Sequence, residues 1–190
     1  TRIATRTAIA PQSTSAISTK LNVLMVPFPY TIPDEAFKGA LEESEAPAWG
    51  WLHITQSWLQ GLDPALFNQF VEHLIRKAEK QLRDKKDENQ SINAITFPEY
   101  ALNWNIYDHL VDRISKKFPK TEFIISGSSN NCEFIPGNHA LVAHLSQTID
   151  KPNISYVSQG KHHRWRVDPT QLKSYGLEGI NGLKKDAVWW

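Results

Sequence analysis

Asn93-Ala94-Ile95-Thr96-Phe97-Pro98-Glu99-Tyr100-Ala101-Leu102 is the stretch on which the reading of the chain turns. Ile95 and Phe97 close a short β-branched and aromatic run of the kind that forms a buried strand. Pro98 has no N–H to give to a sheet ladder, so the strand is expected to stop there. Glu99 then stands at the strand's carboxyl end, where open α/β sheets bind ligands. Partial burial there strips water from the carboxylate and is expected to raise its pKa toward neutrality, as a general base requires. The plainer reading of Glu99 is a solvated turn residue or the start of a helix cap.

On the N-terminal side, Leu21-Asn22-Val23-Leu24-Met25-Val26 is a strong strand whose continuous apolar character predicts a central position covered on both faces. Pro27-Phe28-Pro29-Tyr30 ends it. Asp63-Pro64 has the form of an N-cap followed by a first helical residue. Behind it, Leu66, Phe67, Phe70, Val71, Leu74, Ile75, Ala78 and Leu82 recur at helical spacing. His73 falls off that stripe and reads as a surface residue. Trp49, Trp51 and Trp58, interleaved with Leu52 and Ile54, read as a core edge or, in the second place, as the lining of a pocket.

On the C-terminal side, a second helix is expected over about residues 105–117, with Ile106, Leu110, Val111 and Ile114 on one side. Glu122–Gly127 is the next strand, leaving into a polar loop, Ser128–Cys132. Asn138–Ile149, where Ala140, Val142 and Leu145 alternate with polar residues, suits a half-exposed strand. Asp150–Asn153 is a turn, and Ile154–Gln159 is the returning strand. Asp168-Pro169 caps a short helix, and residues 176–190 show no clear element. Strand, helix, strand, helix, strand and an antiparallel pair predict an α/β layered domain with a mixed sheet.

Of the 190 residues 41% are apolar and 22% charged, which suits a globular domain with a proper core. A net charge of +1 excludes a global field that would draw in nucleic acid or anionic lipid. No apolar run is long enough to span a bilayer, and the first residues lack a signal-peptide core, so no membrane partner is expected. The single cysteine, Cys132, excludes an internal disulfide and fits a reducing, cytoplasmic setting. Residues 1–19, rich in Thr, Ser, Ala and Pro, read as a linker or arm before a domain of residues 20–190. The start at Thr1 and the end at Trp189-Trp190 lead us to expect a segment of a longer polypeptide.

Three groups fall just past strand ends: Glu99, the Ser126–Cys132 loop, and Lys161 with its basic neighbours. A carboxylate and an ammonium at one edge of a sheet can serve as an acid/base and oxyanion-stabilising pair. The ordered set Pro27-Phe28-Pro29-Tyr30, Phe97-Pro98-Glu99-Tyr100-Ala101-Leu102, Ser126-Gly127, Asn138-His139-Ala140-Leu141-Val142 and Gly160-Lys161-His162-His163-Arg164-Trp165 resembles the first two thirds of the carbon–nitrogen hydrolase (nitrilase) superfamily, over about residues 21–175.

The resemblance implies an α-β-β-α sandwich and hydrolysis of a non-peptide C–N bond in a small amide or nitrile. It implies a Glu base matching Glu99, a Lys stabiliser matching Lys161, and a Cys nucleophile. No cofactor is implied. The family nucleophile follows the Lys, and no cysteine follows Lys161, so the domain reads as incomplete, its nucleophile outside this chain. Cys132 lies between Glu99 and Lys161, out of order for that role. Tyr100, Asn130, Cys132, His139 and His162 are the remaining candidates for the substrate pocket. Homo-oligomers, or other domains of the same polypeptide, are the expected partners.

A second reading keeps the fold without catalysis. It is a binding or assembly module, of the sort fused to reverse transcriptases in bacterial antiphage systems. A basic loop, Lys161, His162, His163, Arg164 and Arg166, would contact nucleic acid, with Trp165 as a stacking surface. Adjacent His162 and His163 point to opposite faces of a strand and have no carboxylate or thiol at ligand spacing, so no metal site is expected. His53, His109, His139 and His144 read as structural hydrogen-bonding residues.

Overall fold

The structure, a computed structural model, describes residues 20–40, 50–87, 89–147, 152–161, 166–167, 169–174 and 188–189. The expectations for residues 1–19, Trp49, Asp150, Lys151, His162–Trp165 and Asp168 lie outside them, whereas Pro152 and Asn153, expected in the turn, already belong to a strand.

The described residues form two sheets. The larger is mixed and open, with strands in the order β1 (Val23–Met25), β4 (Ala94–Thr96), β5 (Phe123–Asn130), β6 (Pro136–Gln147) and β7 (Pro152–Gly160). The first three are parallel, and β6 and β7 continue antiparallel. The parallel connections carry α1 (Pro64–Asp84) and α2 (Trp104–Lys117), so the chain is α/β with a mixed sheet. The smaller sheet has the order β2 (Phe37–Ala40), β3 (Gly50–Ile54), β9 (Val188–Trp189) and β8 (Arg166–Val167). None of its strands was legible in the sequence. The short helix α3 (Pro169–Ser174) follows β8.

Helix α1 starts as its residues dictate. The Asp63 carboxylate accepts a hydrogen bond from Ala65 N at 2.7 Å, and Pro64 opens the helix. Phe67, Val71 and Ile75, one turn apart, are fully buried, each stabilising the fold by about 1.5–3 kcal/mol. Leu66 departs from the expected stripe and is exposed, whereas His73 is exposed as expected. Helix α2 is capped by Asn103, whose side chain accepts from Ile106 N, and it buries Ile106, Leu110, Val111 and Ile114. The two helices are tied together at Glu72, which lies 2.6 Å from Arg113 and 2.9 Å from Lys117.

Register across the sheet sorts its side chains into two faces. Leu24, Ile95, Ile124 and Ala143 stand in one row, and with Leu141 and Leu145 they join the helices in a single core. The next row, Met25, Thr96, Ile125, Val142 and Val157, faces the other way.

Three sequence expectations change. Among the described residues β1 is an edge strand and not a central one, with Val23 45% and Met25 77% exposed, because β4 is the one strand that pairs with it and no helix covers that face. Ser128–Asn130 continue β5 instead of forming a loop, because β6 pairs along them and leaves a turn of Asn131–Ile135. In β6 the inward residues are His139, Leu141, Ala143 and Leu145, so Ala140 and Val142 belong to the outer face.

Candidate functional site

The strand carrying Ile95 stops where Pro98 stands, and the chain turns sharply at Tyr100, which adopts φ +57°. The turn is clamped from several sides. Phe97 N donates to Ile125 O, Gly127 N to Pro98 O, Leu102 N to Gly127 O and Ser129 N to Leu102 O. From the segment after β3, Gln56 Nε2 donates to the carbonyls of Tyr100 and Leu102, and Trp58 Nε1 donates to that of Ala101. Trp58 thus works through its indole N–H as well as its apolar surface. The loop bearing Glu99 is therefore held through its backbone, and the Glu99 carboxylate takes no part in holding it.

The loop lies directly over Gly127. A Cβ at that position would press on Glu99 Cα and stand 2.6 Å from Tyr100 N and 2.7 Å from Pro98 O. Glycine is required here by the close approach of two backbones. Beside it, β5 and β6 lose register between Ser128 and Asn130 through a bulge, a device that re-aims side chains at the ends of strands. Past the bulge, Asn138 lies opposite Lys161, whose N–H donates to Asn138 O at 2.8 Å.

Glu99, Asn138 and Lys161 meet at the carboxyl end of the sheet. Lys161 Nζ lies 2.7 Å from Glu99 Oε1, although 62 positions separate the two in sequence. Asn138 Nδ2 donates to the same oxygen at 2.5 Å. The group opens on a concavity of about 880 Å³, lined also by Gly127, His139, Ala140, Gln159 and Gly160.

Burial pushes the Glu99 carboxyl up, and this is the largest single influence. Hydrogen bonds from Lys161 and Asn138, with the lysine's charge, together outweigh it and hold the carboxyl below the ordinary Glu range. This corrects the expectation of a raised pKa: desolvation does push the carboxyl up, but two donors and the neighbouring ammonium together outweigh it. The Tyr100 hydroxyl is pushed up, by burial first and then by the Glu99 charge.

The other candidates separate. Asn130 closes β5, its side chain accepts from Trp104 N at 2.7 Å at the start of α2, and it does not line the cleft. Cys132 is exposed in the β5–β6 turn and does not line it either. The Tyr100 carbonyl is taken by Gln56. His139 lines the cleft but is 9% exposed, and neither ring nitrogen has a partner. It thus departs from the expected hydrogen-bonding role, as does His144, which packs on the Phe123 ring. His162, His163 and Arg164 lie outside the described residues, and Arg166 starts β8. Lys161, counted among the nucleic-acid contacts, is engaged by Glu99. Asn138 and Gly127 had no role in the sequence reading as site residues. An amide two positions before the β6 alternation begins, and a glycine in the middle of a β-rich run, are the signals that could have marked them.

Among the described residues no group of three His, Cys, Asp or Glu is placed to hold a metal ion, and no helix is long and apolar enough to cross a membrane. No protein-family model matches the chain, and neither a curated protein nor a solved structure matches it.

Proposed function

We propose that Glu99 and Lys161 form the acid–base half of a nitrilase-like site that hydrolyses a non-peptide C–N bond in a small amide or nitrile. The observation that carries this reading is the 2.7 Å contact between two residues 62 positions apart at the mouth of a cleft. An exposed ion pair contributes little to stability, so such convergence is better accounted for by chemistry. The same reading takes the large sheet and its two helices as half of an α-β-β-α sandwich.

In this mechanism Glu99 rests as a carboxylate, which its lowered pKa ensures. Oε1 is anchored by Lys161 and Asn138, and Oε2 takes the proton from an attacking thiol. The sulfur bonds to the carbonyl carbon, and Lys161 stabilises the oxyanion. Glu99 returns the proton to the departing amine, then takes one from the water that cleaves the thioester and hands it to the leaving thiolate. On this reading the thiol comes from outside this chain, since its one cysteine, Cys132, is exposed in the β5–β6 turn and does not line the cleft.

The test is ammonia release from short aliphatic amides and nitriles by the whole polypeptide that carries this domain. Glu99→Gln and Lys161→Met should each lower the rate by at least about 100-fold, the scale of lost acid–base catalysis, and alkylation of thiols should abolish it. Hydrolysis that persists unchanged in Glu99→Gln would refute the proposal.

A further inference from the structure

The large sheet ends in two unlike edges. β1 is three residues long, and short edge strands resist pairing with another chain. β7 is nine residues long, Pro-Asn-Ile-Ser-Tyr-Val-Ser-Gln-Gly, with no charge and with its proline confined to the first position. Natural sheets blunt an exposed edge with charges, inner prolines or a covering element. Within Pro152–Gly160 none of the first two is present.

The ladder shows which backbone groups of β7 face outward. Lys161 N donates to Asn138 O, and alternate residues of an antiparallel strand bond the neighbour on either side. Asn153, Ser155, Val157 and Gln159 therefore bond β6, while the N–H and C=O groups of Ile154, Tyr156, Ser158 and Gly160 point away. Outside the ladder, none of those four bonds the backbone of another described residue. Val157, in the middle of the strand, is 63% exposed.

We propose that β7 is a homodimer edge. A second copy of this chain pairs with it antiparallel across a two-fold axis at Val157 and extends the five strands into one continuous sheet. The strand is complementary to itself in that register. Ile154 meets Gly160, and Tyr156 meets Ser158, each able both to donate and to accept, and no like charges are opposed. A two-fold at Tyr156 would instead set Pro152, which has no N–H, opposite Gly160. The Val157 axis buries the most exposed apolar side chain of the strand against its own copy. It also joins the outer row of Met25, Thr96, Ile125, Val142 and Val157 to the same row of the second copy. Asn153 of the partner subunit falls opposite Lys161, at the rim of the cleft.

Sedimentation velocity at micromolar concentration tests this together with three variants. Wild type should sediment as a dimer. Val157→Lys sets two ammonium groups face to face, and Ser158→Pro removes an outward N–H that the ladder does not use. Both should be monomers with an unchanged circular dichroism spectrum. In a Cys132→Ser background, Val157→Cys should oxidise to a disulfide-linked dimer. Cα atoms of a non-hydrogen-bonded pair lie about 4.5 Å apart, within disulfide range.

A monomeric wild type overturns the proposal, as does a dimer that survives both Val157→Lys and Ser158→Pro. A monomer whose Ile154, Tyr156, Ser158 and Gly160 amides resist hydrogen exchange overturns it too, since another part of the polypeptide would then cover the edge.

Discussion

Gly127→Ala adds one methyl group, and its effect can be worked out from the backbone that surrounds it. The new Cβ would sit against Glu99 Cα, 2.6 Å from Tyr100 N and 2.7 Å from Pro98 O. Ordinary contact begins near 3.4 Å, so the loop must retreat by about 0.8 Å at Tyr100 and about 0.7 Å at Pro98. These are backbone atoms held by the Gln56 and Trp58 donors, so no flexible side chain can yield in their place. A shift of that size lengthens the bonds from Gly127 N to Pro98 O and from Leu102 N to Gly127 O, already 3.1 and 3.3 Å. It also draws Glu99 away from Lys161. Overpacking of this kind costs about 1–3 kcal/mol. Urea denaturation should report that loss, and heating should report a fall in Tm of roughly 2–4 °C for each kcal/mol. With its donors displaced, the Glu99 carboxyl should titrate closer to the ordinary Glu value, readable by carbon NMR of the labelled side chain. Gly61→Ala is the contrast. Nothing lies within 4 Å of its Cβ, and its φ of +72° predicts a loss of about 1 kcal/mol from backbone strain with no change at Glu99. Full wild-type stability together with an unmoved Glu99 titration in Gly127→Ala would refute the close approach on which the site depends.

Lys161→Met should raise the Glu99 pKa, seen in the same NMR titration, while stability changes by about 1 kcal/mol or less because the pair is exposed. Tyr107→Phe removes the buried hydroxyl that donates to Ile124 O at 2.7 Å and should cost about 1–2 kcal/mol in urea denaturation. Glu72 is held below the ordinary Glu range. Burial pushes it up, and hydrogen bonds and charge from Arg113 and Lys117 outweigh that. A lowered folded pKa stabilises above the unfolded value, and the gain is lost as pH falls through the folded one. Stability should therefore decline below about pH 4, and Glu72→Gln should flatten that decline in acid denaturation curves.

The layered α/β character was legible because its carriers are local and periodic. Asp63-Pro64 with the Phe67, Val71, Ile75 spacing specifies α1, and Ile106, Leu110 and Ile114 specify α2, whatever surrounds them. The end of the Glu99 strand was legible because Pro98 cannot continue a ladder. The position of Glu99 just past a strand followed from that proline, and that of Lys161 from Gly160 at the end of the Ile154–Gln159 run.

What the sequence determined by itself was thus the strands of the large sheet and its two helices, their order along the chain and the two residues standing at strand ends. Only the tertiary structure decided that those ends coincide, because strand order is set by long-range pairing that no local pattern encodes. It also made Leu21–Val26 an edge instead of a centre, since an apolar run reads alike whether its second neighbour is present or absent. The sign of the Glu99 shift was decided there too. Desolvation could be foreseen from a strand end, whereas the Asn138 amide arrives through a bulge between β5 and β6, and the Lys161 ammonium from the far end of β7.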